Sequence, residues 1–166
     1  QIRTLFRLGI EKVILNTALN RDPNFVREAV STFGSQAIAA SIDVRRKLFG
    51  RYEVMTLAGT EATGLNAVEA ALQAEQLGVG EILLTSIDAE GSMDGYDIDL
   101  LSKVSQAVGV PVIASGGAGK LEDFRFAVQQ GHASAVAAGS MFVFYGPHRA
   151  VLITYPEYSK LCTLFN

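Results

Sequence analysis

Five short apolar runs, each followed by a stretch of helical pattern, set narrow limits on how this chain folds. They cover residues 12–16, 36–43, 81–88, 111–115 and 133–138. Between the second and third, residues 66–77 place Val68, Ala71 and Leu72 at helical spacing and end at Gly78 and Gly80. Strands separated by helices pair in parallel through right-handed crossovers, so the fold class is α/β. Five such units do not close an eight-stranded barrel, and an open sheet this apolar leaves both edges and one face poorly covered. Two arrangements fit: a complete doubly wound sheet, or strands 4–8 of a (β/α)8 barrel of TIM type. Residues 1–8 read as the last turns of a helix, with Ile2, Leu5 and Phe6 on one face and Gly9 as the stop, so the chain looks cut. By length, residues 1–166 form a single domain, and a sheet with bare edges is expected to self-associate.

The C-terminal ends of the strands carry the chemistry in parallel α/β folds. The fourth run stops at Ser115 and is followed by Gly116, Gly117 and Gly119, with a helix beginning near Leu121. Strand, glycine loop and helix start together let bare backbone N–H groups converge on an anion. The fifth run ends in a second turn of this kind, Gly139-Ser140. Neighbouring turns after the last two strands of a barrel often form a phosphate site, so the pair points to a phosphorylated small molecule. The nucleotide-binding pattern Gly-x-x-x-x-Gly-Lys-Ser/Thr is absent.

Asp43 follows a nearly continuous apolar run and is placed by it at a strand exit, as a catalytic carboxylate or as a cap for the next element. The first run ends in Asn16 and Thr17, and the third in Thr85-Ser86-Ile87-Asp88. A turn-rich loop at 89–97 can cover a site. Residues 48–56 suggest a small inserted β-hairpin turning near Gly50, flanked by Arg45, Arg46, Lys47 and Arg51. Asp22-Pro23 opens a helix that runs to about Phe33.

A net charge of −3 without a basic run argues against nucleic acid as the main partner. One cysteine, Cys162, read as a buried or incidental thiol, excludes a disulfide within the chain. No apolar run reaches membrane-spanning length, and the cytoplasm is the default compartment. His132 lies at the wrong end of its strand for catalysis and His148 lies beyond the last strand. No residues have the spacing of a metal site, and no cofactor is called for.

Asn16-Thr17-Ala18, Phe33-Gly34-Ser35-Gln36, Ser41-Ile42-Asp43, Gly80 to Asp88, Gly95-Tyr96-Asp97 and Ser115 to Gly119 occur in order. In this set the chain resembles the cyclase subunit of imidazole glycerol phosphate synthase, of the histidine biosynthesis family. The resemblance implies a (β/α)8 barrel matched from the end of its third helix onward. It further implies a lyase that adds ammonia to a bisphosphorylated ribulosyl substrate, working beside a glutaminase partner. Asp43 matches one of two catalytic aspartates, and the other belongs to the first strand; Thr85 matches a polar site residue. Asn16 and Thr17 match one phosphate site, and Gly91, Gly117, Gly139 and Ser140 the other, where Ser115 and Gly116 belong to the same turn.

At the opposite strand ends, Lys12 and Glu81 match residues ringing the ammonia entrance, and Glu11 matches a position facing the glutaminase. Lys12 and Glu81 can also simply pair, since each begins a parallel strand. Glu90 stands where the cyclase usually has Asp, and Gly139 replaces a commoner Ala. Residues 47–54 and 139–153 are instead similar to a paralogous branch linked to acetamidino modification of surface sugars. There the barrel handles ammonia and is not required to make the imidazole ring, which leaves a non-catalytic ammonia conduit as the alternative reading.

Overall fold

The computed structural model describes residues 1–165, with Phe49 described by its backbone alone. Helix α1 (Ile2–Arg7) leads to β1 (Val13–Leu15), α2 (Thr17–Arg21) and α3 (Pro23–Phe33). Asp22 caps α3 by accepting from the Phe25 amide, and Pro23 stands at its first turn, as the Asp-Pro pair predicts. Strand β2 (Ile38–Arg46) is followed by β3 (Tyr52–Thr56), β4 (Glu61–Ala62) and α4 (Ala67–Gln76). A reciprocal capping box between Asn66 and Glu69 starts α4. Then come β5 (Glu81–Ser86), α5 (Ile98–Ser105), β6 (Val112–Ser115), α6 (Leu121–Gln129) and β7 (Ala135–Val136). The chain continues through α7 (Ser140–Val143), the short hairpin β8 (Phe144–Tyr145) and β9 (Ala150–Val151), and α8 (Tyr158–Leu164). Cys162 lies on α8 and is exposed, which corrects the buried reading.

The parallel strands lie in chain order, β1-β2-β5-β6-β7, each paired with the next. A doubly wound sheet reverses its order near the middle, so this sequential order removes that alternative. Right-handed crossovers in one direction put the helices on one face. Alternation along the strands agrees. Ile38, Ala40, Ile42 and Val44 of β2, Ile82 and Leu84 of β5 and Val112 and Ala114 of β6 are buried in one core with Val26 of α3, Ala71 of α4 and Leu100 and Val104 of α5. Each large aliphatic side chain removed from water there contributes about 1.5–3 kcal/mol before the entropy of ordering is counted.

The opposite face is less covered. Ile14 is 48% exposed, and Ser41, Asp43, Leu83, Thr85, Ile113 and Ser115 are only half-buried. The parallel set runs from β1 at one end to β7 at the other.

The hairpin differs from its expected form. Strand β2 does not stop at Asp43: it continues to Arg46, and β3 returns antiparallel along it, with Asp43 opposite Met55 and Arg46 opposite Tyr52. The turn is therefore at Lys47–Arg51, with Gly50 at φ +74°, and one arm of the hairpin is the core strand itself. β1 pairs with the first half of β2 and β3 with its second half, on the same edge.

Candidate active site

Parallel register builds the site from three neighbouring strands. Asp43 on β2 is paired with Thr85 on β5, and Thr85 with Ser115 on β6. Residues paired in this way point to the same face, so a carboxylate and two hydroxyls form one row on the less covered face. Partial burial raises the Asp43 carboxyl above the ordinary carboxylate range, and the Ser41 hydroxyl, donating to Oδ1 at 3.1 Å, draws it partly back. A carboxyl with a raised pKa, held by one hydrogen bond and open on one side, is suited to exchanging protons with a bound molecule. Ser41 lies two residues before Asp43 and so on the same face, a signal available in the strand's alternation but easily lost within an apolar run.

Beside Ser115 the two glycine turns enclose a pocket of about 220 Å³. Gly91, Ser115, Gly116, Gly117, Gly139 and Ser140 line it, so six of the eight expected phosphate residues are brought together. The backbone N–H groups of Gly91, Gly116, Gly117, Gly139 and Ser140 find no acceptor among the described residues. Such unpaired amides at a strand–turn–helix junction are available to an oxyanion. Glu90, Ala118, Ala137 and Ala138 complete the lining, and Glu90 is the one charged residue among them.

Two of the glycines have a second reason to be glycine. A Cβ on Gly117 would stand 2.1 Å from the Gly95 carbonyl oxygen, and one on Gly119 2.0 Å from that of Met93. The loop after β6 is thus pressed against the loop after β5, and the Gly95 amide donates to the Gly117 carbonyl at 2.8 Å. Gly139 is different: nothing lies within 4 Å of where its Cβ would be.

Asn16 and Thr17 do not join this pocket. The Asn16 amide nitrogen donates to the Ser41 carbonyl at 3.1 Å. Thr17 Oγ1 donates to Asn16 Oδ1 at 3.3 Å and accepts from the Leu57 amide at 3.4 Å. Asn16 lines a crevice of about 10 Å³. What these bonds do is connect Asn16 through Ser41 to Asp43. At the other end of the strands, Lys12 Nζ pairs with Glu81 at 2.6 Å, as their positions at two strand starts suggest. Glu11 is exposed next to this pair. His132 and His148 are exposed and lie outside the pocket lining. Among the described residues no three His, Cys, Asp or Glu side chains are grouped to hold a metal ion.

No helix among the described residues is long and apolar enough to cross a membrane. The chain is 45% identical over 157 residues to a Pseudomonas aeruginosa PAO1 protein provisionally named imidazole glycerol phosphate synthase subunit hisF2, covering 95% of this chain and 62% of that protein. It is likewise 45% identical over 141 residues to the imidazole glycerol phosphate synthase subunit HisF of Alkaliphilus metalliredigens QYMF, covering 85% of this chain and 56% of the relative. The chain spans about three fifths of the length of these relatives. Residues 1–148 match the family model described as histidine biosynthesis protein, and the chain belongs to that family.

Proposed function

We propose that this chain is the part of a cyclase subunit, of imidazole glycerol phosphate synthase type, that holds one phosphate end of a bisphosphorylated ribulosyl substrate. The observation that carries the reading is the pocket of unpaired amides directly beside the Asp43–Thr85–Ser115 row. A phosphate at Gly91, Gly117, Gly139 and Ser140 places the body of its molecule over that row. Asp43 then serves as acid or base and Thr85 as a hydrogen-bonding neighbour. Asn16 and Thr17 act here first by fixing Ser41, and a second phosphate near them requires their present bonds to open. The sequential strand order supports a (β/α)8 barrel as the architecture of the whole protein.

Ammonia is the co-substrate of this reading, supplied by a glutaminase bound at the Glu11, Lys12 and Glu81 end. From Glu81 to Thr85 is four residues of one strand, about 13 Å at the rise of a parallel strand. Ammonia entering past the Lys12–Glu81 pair thus moves along the half-buried face, by Ser41 and Leu83, to Asp43. A second reading rests on residues 47–54 and 139–153, which are similar to the paralogous branch linked to acetamidino modification of surface sugars. In it the same barrel passes ammonia on without closing an imidazole ring.

Turnover of the ribulosyl bisphosphate with ammonium salts, by the full-length protein and its Asp43→Asn variant, separates the two. Cyclase activity that Asp43→Asn abolishes supports the first reading. Phosphate binding without turnover in either protein rejects it in favour of the second.

A further inference from the structure

We infer that Arg149 is a positioning residue for the anion pocket, fixing the distance between its two walls and offsetting the charge of Glu90. This inference rests on the phosphate reading of that pocket. Gly139 and Ser140 form one wall and Glu90 and Gly91 the neighbouring one, with Ser140 Oγ 3.7 Å from where a Cβ on Gly91 would stand. The chain leaves the first wall through α7, forms the β8–β9 hairpin, and returns at the hairpin turn to the second. There Arg149 Nη2 donates to the Gly91 carbonyl at 2.8 Å and lies 3.4 Å from that of Ser92. Eleven residues, 139–149, therefore link the two sides of the cavity from end to end.

The stem of this strap is fastened. Leu152 donates to the Val143 carbonyl and Thr154 to that of Phe142, extending the hairpin ladder back to α7. Phe142 packs against Tyr155 and against Phe124 of α6, with ring centroids 5.1 and 6.3 Å apart, and Phe124 packs on Tyr96. The turn itself is strained: Arg149 has φ +48°, a left-handed conformation that a side chain with a Cβ rarely adopts. Strain of this kind persists where the surroundings determine the conformation, and here it aims the guanidinium back at Gly91. Gly91 is also left-handed, at φ +73°, and its amide is one of those without an acceptor.

Charge makes the contact matter for an anion. The pocket is lined by neutral residues and one acid, so a phosphate there meets Glu90 with no lining cation. A guanidinium on the Gly91 carbonyl polarises that wall and supplies the missing positive charge next to it.

Two measurements on wild type, Arg149→Gln and Arg149→Lys test this. Inorganic phosphate is titrated at low and at physiological ionic strength, and amide exchange of residues 90–93 is followed without ligand. Arg149→Gln is expected to weaken phosphate about tenfold, the loss typical of one charged hydrogen bond, and to flatten the salt dependence. Arg149→Lys is expected to keep the salt dependence and lose only part of the affinity, since an ammonium keeps the charge without the planar fork. Exchange at residues 90–93 is expected to accelerate in Arg149→Gln. Equal phosphate affinity and unchanged exchange in Arg149→Gln would overturn the inference. Wild-type protein that binds no phosphate overturns the pocket reading, and the ligand-free exchange then still decides whether Arg149 holds the loop.

Discussion

Asp43 and Thr85 face each other across adjacent parallel strands, in register, on the less covered side of the sheet. The same register places Ser115, the first residue of the glycine turn, next in the row. Strand pairing thus sets a half-buried carboxylate with a raised pKa in one row with Ser115, where the loops after β5, β6 and β7 complete the glycine-lined pocket.

Stability should report the raised pKa of Asp43. Its carboxyl ionises in the ordinary range when unfolded and higher when folded, so the folded state holds its proton to higher pH. Stability from this group is therefore lost as pH rises from the unfolded pKa through the folded one. Asp43→Asn removes that loss while keeping an acceptor for Ser41. Thermal melts are expected to show a higher Tm for the variant at pH 7, with the two proteins converging below about pH 4. A variant that melts lower than wild type at pH 7 contradicts this account of the carboxyl.

The glycines separate into two kinds. Gly117→Ala drives a Cβ into the Gly95 carbonyl at a φ of +107°, and urea unfolding should show a loss of about 3 kcal/mol. Gly139→Ala meets open space at an ordinary φ of −119°, and should change stability by less than about 1 kcal/mol. Equal losses at both positions would mean that the loop packing does not constrain Gly117.

Tyr52 ties the hairpin to the start of α5. Its hydroxyl lies 2.9 Å from Asp97, the cap of that helix, and 3.1 Å from Asp99. Burial, followed by the two nearby carboxylates, raises the phenol pKa, so it remains a donor well into the alkaline range. Lys103 and Arg46 lie over the ring at 5.4 and 5.8 Å and keep it in place when the hydroxyl is removed. Tyr52→Phe should therefore cost about 1–2 kcal/mol without changing the fold. Chemical denaturation together with the circular dichroism spectrum checks both halves of that statement.

Much of this arrangement was legible in the residues. Five apolar runs named the five parallel strands, and the two small-residue turns named five of the pocket residues, because backbone chemistry is written locally in Ser, Gly and helix-start patterns; Gly91 came only through the family resemblance. The continuation of β2 to Arg46 was not legible, since Arg45 and Arg46 read as loop until Tyr52 and Glu53 are seen opposite them. Ser41 was hidden by the apolar run around it. Asn16 and Thr17 line no part of this pocket, and their side chains are engaged with Ser41 and Leu57. Arg149 could not be found by spacing at all: 58 residues separate it from Gly91.

The most direct test of the central claim is an amide-resolved NMR titration of this chain with inorganic phosphate. The account predicts saturable shifts at Gly91, Gly117, Gly139 and Ser140, with smaller ones at Thr85 and Asp43. Shifts confined to the basic turn around Lys47 and Arg51, with these glycines unmoved, would contradict it.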